Sequence, residues 1–401
     1  MLFERKEVSK LGERGLSKKT VSGIMLTLLL TGMLTLAFDI HLAKSTENGW
    51  WDSAWIYRMQ LNIIRLLPNI QPTQATSFEQ KSQQSQVVIH EGDILVNGSQ
   101  KLTIKNCKFV QYGKITVENN ATLDIENATL YIKNPSDPFR YGLTVTDQSS
   151  LLLTNATLIL AHGREPYIYE QTILIEKNAT AVVLDSNITS PFRNVWMVAR
   201  YNSKISVQNS SFDNSTGLGI FDNSTGYIQD STLTYQLNAA RNSELIVEDS
   251  DINNIHGTDV CEIQIKNCVI YSYSEIHWGT NLLAYNSSIF SIFTVYDATA
   301  RFEGSSIDKL IVNDRGSARL ICCSTSKTRA MNNSTVWLIN SDGGVISTLD
   351  ESEVFVGYDL PLFGVVTFPY TWVPVLQAFL IILVTIIVIV VLLLIRRRFR
   401  Q

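Results

Sequence analysis

The sequence predicts an all-β fold, a right-handed parallel β-helix solenoid of about a dozen coils, with an apolar segment near each end. Three observations predict the solenoid. First, a four-residue phrase keeps returning: a polar turn residue, a small residue, any residue, then an apolar one. Its first positions are Asn106, Asn127, Asn155, Asp185, Asn209, Asp230, Asp249, Asn267, Asn286 and Gly304, spaced by 21, 28, 30, 24, 21, 19, 18, 19 and 18 residues. Cys322 and Asn340 continue the spacing at 18. Second, apolar residues stand four and two positions before the turn residue, as in Leu102/Ile104, Leu123/Ile125, Leu151/Leu153, Ile205/Val207, Leu245/Val247 and Ile263/Ile265. Such alternation marks a short strand with one buried face. Third, a second turn former stands seven positions before the first, at Asn120, Asn178, Asn202, Asn223, Asn242, Asp297 and Asn333.

Each coil therefore reads turn, short strand, turn, second strand, variable connection. Asn and Asp suit the corners because they tolerate the left-handed backbone region and hydrogen-bond locally. Stacked in register, their side chains should form ladders between coils. A unit of this length cannot bury a face alone, so consecutive coils must pair strand on strand around an aliphatic interior.

Taken in order, residues 1–43 read as a signal peptide or signal anchor. Arg5, Lys6, Lys10, Arg14, Lys18 and Lys19 precede an uncharged run from Val21 to Phe38, with small residues at Ala37 and Ala43 for cleavage. Residues 44–86 hold Trp50, Trp51 and Trp55 and then a Gln/Ser-rich run from Gln71 to Gln86, which suits a capping segment and a linker. The solenoid occupies 87–359 and a juxtamembrane segment 360–372. Val373 to Ile395 carries no charge and is long enough, at about 1.5 Å per residue, to cross a hydrocarbon core of about 30 Å. Phe368, Tyr370 and Trp372 precede it as an aromatic belt would. Arg396, Arg397, Arg398 and Arg400 lie in the tail, 396–401, which is expected to be cytoplasmic. The localisation expected is the plasma membrane, single-pass after signal cleavage, with the β-helix extracellular.

The Asn-corner grammar over Val87 to Asp359 resembles right-handed parallel β-helix proteins of the pectin-lyase-like fold. A left-handed helix would want a stricter hexapeptide pattern than the irregular early coils provide. The phrase Trp51-Asp52-Ser53-Ala54-Trp55-Ile56-Tyr57-Arg58 resembles the opening of a β-rich module of secreted prokaryotic proteins. The combination of leader, β-helix and C-terminal anchor resembles cell-surface β-helix proteins of archaea.

The composition, 45% hydrophobic and 17% charged, is that of an ordered chain. A net charge of -4 gives no electrostatic footprint for nucleic acid. Of five cysteines, Cys107, Cys268 and Cys323 occupy the small-residue column. Cys268 and Cys323 lie three coils apart, roughly 14 Å at the strand spacing, beyond disulfide reach. Free packing thiols are expected. Cys261 and Cys268 with His256 or His277 match no zinc spacing, so neither a metal nor another cofactor is expected. Most Asn-X-Ser/Thr triplets fall in the corner columns, where the fold itself asks for Asn before small residues. Asn97 and Asn214 are the expected glycosylation sites.

Enzymes of the resembled fold use clustered acidic residues to cleave acidic polysaccharides. Asp230, Asp249 and Asp251 are near one another in coil space, but two of them stand in the corner column. Ile255-His256-Gly257-Thr258-Asp259 resembles a polygalacturonase-type piece, while that family's second paired-aspartate and Arg-Ile-Lys motifs are missing. No catalytic residue is assigned. The three longest coils are consecutive, so their extra residues should emerge side by side on one flank. They carry Phe139, Arg140 and Tyr141; His162, Arg164, Tyr167 and Tyr169; and Phe192 and Arg193. Aromatic faces beside Arg and His suit sugar or peptide recognition, and insertions on a rigid solenoid are where binding sits. The function expected is a membrane-anchored structural, adhesive or ligand-display module, partnered by the lipid bilayer and an extracellular polysaccharide or envelope component. The alternative is a surface-anchored polysaccharide lyase or glycoside hydrolase. Three or more converging Asp, Glu, Arg or His side chains on the long flank would favour the enzyme, and a smooth Ser, Thr and Asn flank the scaffold.

Overall fold

A computed structural model describes residues 75–79, 87–134, 142–162, 171–191, 195–213, 216–360 and 364–398. The middle of the chain is an all-β parallel solenoid of about 13 turns. One sheet has 15 strands, added in chain order from Ala75–Glu79 to Gly364–Pro369. The other wall has 20 strands and bends within each coil, so its strands often come as two short pieces.

Alternation builds the interior. Leu102, Leu123, Leu151, Ala181 and Ile205 stack in register on successive coils, as do Ile104, Ile125, Leu153, Val183 and Val207. All of them are buried, and they belong to one continuous apolar core that reaches Val354. The period-2 reading of these strands is therefore how the chain folds: one side chain enters the core and the next leaves it.

The corners follow from backbone preference. All twelve residues of the first turn column have positive φ, from Asn106 at 56° to Asn340 at 47°, including Gly304 at 57° and Cys322 at 53°. Asn and Asp visit this region at low cost. The predicted ladders form: Asn155 Nδ2 donates to Asn127 Oδ1 at 2.8 Å, and Asn267 Nδ2 to Asp249 Oδ1 at 2.9 Å. The adjacent small-residue column does more than save space. The backbone N–H of Ser186 donates to Ser210 Oγ, that of Ser210 to Ser231 Oγ and that of Ser231 to Ser250 Oγ, at 3.0 to 3.1 Å. Each hydroxyl in turn donates to the carbonyl two residues before it. Cys323 takes the same place, its Sγ accepting from Ser305 N–H at 3.4 Å. Cys107, Cys261, Cys268 and Cys323 are free and buried. Burial pushes the Cys268 thiol up to about 12.

Both ends of the stack differ from a uniform repeat. Ala75–Glu79, within the Gln/Ser-rich run, pairs in parallel with Lys101–Lys105, so part of that run belongs to the first coil. Gly364–Pro369 pairs antiparallel with Glu353–Leu360. This last strand reverses the direction of pairing, so the parallel stacking stops there.

The C-terminal unit is described separately. A 3-10 turn at Tyr370–Trp372 leads into a helix at Val373–Arg398 of 26 residues, about 39 Å at the usual rise. Described side chains from Ile381 to Val391 are exposed on every side of the helix. Thr385 Oγ1 donates to the Ile381 carbonyl at 2.7 Å, which satisfies the hydroxyl within the helix. Among the described residues no helix is long and apolar enough to cross a membrane.

Candidate functional site

Phe139, Arg140, Tyr141, Arg164, Tyr167, Tyr169, Phe192, Arg193 and Asn214 lie outside the described residues. His162 closes the strand Thr157–His162, its backbone in register with Asn134. The strands that bracket the three insertions do stack. Thr129–Asn134, Thr157–His162 and Asn187–Thr189 form one run, and Leu143–Val145, Gln171–Glu176 and Val195–Arg200 the other. All three insertions thus leave from one junction in the bent wall. Asn97 is exposed, and its Oδ1 accepts from Asn119 Nδ2 at 2.9 Å.

The corner aspartates line shallow grooves. Asp230, Asp249 and Asp251 share one with Thr232 and Asn267, while Asp185 and Asp230 line another with Asn155 and Asn209. Asp185 and Asp249 each accept an amide N–H from the next coil's asparagine, so both have a structural task.

A different group converges on the outward face of the bent wall. In Asp251–Thr258 Ile255 and Gly257 are buried on the core side, which turns the His256 side chain outward. Gly257 is required there, since a Cβ would stand 2.7 Å from Ile263 Cδ1 and 2.9 Å from Thr280 Cγ2. On the next coil Ser274 and Ile276 are buried, so Glu275 and His277 face outward. Register places His256 beside Glu275, and Ser274 Oγ fixes the pairing by accepting from the Ile255 N–H at 3.0 Å. His256 Nε2 is 3.5 Å from Glu275 Oε1, and His277 Nε2 is 3.2 Å from Glu275 Oε2. All three ligand-type atoms lie within 4.8 Å of one another. This is the single group of three or more metal-ligating side chains found among the described residues.

Neighbours tune the three groups. The Tyr273 hydroxyl donates to Glu275 Oε2 at 2.6 Å, and the Gln236 amide stands 3.5 Å from His256 Nδ1. Burial pushes the Glu275 carboxyl up, but hydrogen bonds from Tyr273 and His277 and the nearby imidazoles outweigh it, leaving it below the usual carboxylate value. Burial lowers His256; Glu275 opposes that shift and His277 adds to it. Burial and the Glu275 carboxylate both raise Tyr273. At neutral pH the cluster therefore holds a neutral His256, an ionised Glu275 and a protonated Tyr273. Asn238 Oδ1, Asn254 Oδ1 and Thr258 Oγ1 are buried without a hydrogen-bond partner. Asn238 is the register partner of His256, and the other two flank His256 on its own strand.

Aromatic rings flank His277, and two more stack on each other elsewhere on the same wall. His277 stacks on Tyr296 with centroids 4.6 Å apart and touches Trp278 at 5.5 Å. Tyr271 and Phe290 stack at 6.2 Å. Trp278 is 61% exposed, Phe290 64% and Tyr271 52%, far more open than rings held for packing. Trp278 also has φ 44°, a conformation costly for a bulky residue. In the sequence, His256 stands out as part of Ile255-His256-Gly257-Thr258-Asp259, and His256 and His277 as possible zinc partners of Cys261 and Cys268. Cys261 is buried, bonded to the Ala239 carbonyl and Thr280, and Glu275 completes the group instead. The available signal was parity: all three residues alternate with buried ones on adjacent coils. No protein-family model, curated protein or solved structure matches the chain.

Proposed function

We propose that this chain is a membrane-anchored extracellular β-solenoid, right-handed and pectin-lyase-like, that displays a carbohydrate-binding wall at the cell surface. The observation that carries the binding function is that exposed rings, Trp278 against His277 and the stacked pair Tyr271 and Phe290, stand on the wall that holds His256, Glu275 and His277. Exposed rings next to hydrogen-bonding and charged groups present an apolar face for a sugar ring and polar partners for its hydroxyls. Their coils are rigidly stacked, so little ordering is required on binding. The anchor rests on the uncharged sequence from Val373 to Ile395, the continuous helix over it, the arginines that follow, and the basic-then-apolar N-terminal segment. The strands that bracket residues 135–141, 163–170 and 192–194 belong to the same wall, and the aromatic and basic residues of those segments are proposed to take part in recognition. Asn97 and Asn214 are proposed glycan acceptors.

A second reading, a surface-anchored polysaccharide lyase or glycoside hydrolase, draws on the same wall, because His256, Glu275 and His277 converge there. One experiment separates the two. The full chain in detergent is screened against acidic and neutral polysaccharides for binding and for chain cleavage. Display predicts saturable binding without cleavage, weakened at least about 10-fold in the Tyr271→Ala/Trp278→Ala/Phe290→Ala variant, as for loss of stacking worth 1.4 kcal/mol or more. Cleavage that His256→Ala abolishes would establish the enzyme. No binding across the panel, or binding unchanged in the triple variant, would remove the proposed site.

A further inference from the structure

We infer that His256, Glu275 and His277 form a site for one borderline divalent cation of the zinc type. The inference is independent of the carbohydrate reading, because it concerns the ligand atoms alone. Ligands about 2.0 to 2.1 Å from a tetrahedral zinc are separated from each other by about 3.3 Å. His256 Nε2 is 3.5 Å from Glu275 Oε1 and His277 Nε2 is 3.2 Å from Glu275 Oε2, and one donor atom from each residue lies within 4.8 Å of the others, so side-chain rotation can close the three donors onto one cation. Both histidines turn Nε2, not Nδ1, toward the Glu275 carboxylate.

The donor set selects the ion. Two imidazoles and one carboxylate suit zinc, cobalt, nickel or iron(II), whereas calcium and magnesium want oxygen donors alone. The side chains remain 34%, 27% and 19% exposed, so an ion can enter and its remaining positions face solvent. Second contacts are in place too. Tyr273 holds Glu275 Oε2, the oxygen beside His277, and leaves Oε1, the oxygen beside His256, for the cation, while Gln236 stands at the far nitrogen of His256. These three ligands come from two adjacent strands whose register is fixed by the fold, so the site is preorganised.

The test uses the full chain in detergent, stripped of metal with a chelator. Zinc uptake is measured by calorimetry, and cobalt by its visible ligand-field spectrum. The expected result is one ion per chain, with His256→Ala or His277→Ala weakening zinc at least 10-fold and Tyr273→Phe weakening it about 10-fold. His90→Ala, on a distant coil, and excess calcium should leave zinc affinity unchanged. Far-UV circular dichroism checks that each variant is folded, and Glu275→Gln, nearly isosteric, replaces any alanine variant that is not. Absence of a saturable site below about 100 µM zinc, or affinity unmoved in both histidine variants, would overturn the inference.

Discussion

Glu244 faces Glu262 on the next coil, while four residues along the same strand Glu248 faces Lys266 and accepts from the Tyr227 hydroxyl. Like charges directly opposite one another destabilise a sheet. Burial, and then the Glu262 carboxylate, raise the Glu244 carboxyl above its ordinary value of 4.5. The folded state thus holds this proton more tightly than the unfolded chain. The penalty is absent below the unfolded value, grows as pH rises through the folded one, and is complete at pH 7. Glu244→Gln should therefore stabilise the protein at pH 7 by about 0.2 to 1 kcal/mol, and the gain should vanish near pH 3.5. Denaturant unfolding at the two pH values checks this. An equal gain at both, or a loss at pH 7, would refute the electrostatic account.

The serine ladder is the device that joins one coil to the next at the corner. Ser231 Oγ accepts from the buried Ser210 N–H, so Ser231→Ala leaves that donor unpaired and should cost about 1 to 3 kcal/mol. Ser231→Cys should cost less, because Cys268 and Cys323 already occupy this column and Cys323 Sγ makes the same bond. Equal unfolding midpoints for wild type and Ser231→Ala would show that the ladder contributes nothing. The strands and corners were legible in the sequence because both follow local rules. Leu102 and Ile104 are buried and alternate with more exposed residues, and Asn223 and Asn242 stand where positive φ is needed. The ladder was half legible: the column was seen as small, but its hydroxyls' bonds depend on what the next coil places opposite. The cluster was not legible as a group. His256 and Glu275 are 19 residues apart, and their contact depends on a break in the strand at Tyr271–Tyr273 that the repeat does not forecast.

For the whole molecule, the solenoid supplies a rigid wall and the proposed function needs that wall outside the cell. The solenoid and the helix at Val373–Arg398 are separate compact units, so removal of residues 373–401 should leave a folded solenoid that is released rather than retained with the membrane. The most direct measurement is topology in intact cells producing the chain with an epitope after Gln401. A membrane-impermeant amine reagent should label solenoid lysines such as Lys177 and Lys266, while the epitope should become detectable only after permeabilisation. Unlabelled solenoid lysines, or an epitope exposed on intact cells, would contradict the proposed anchored display.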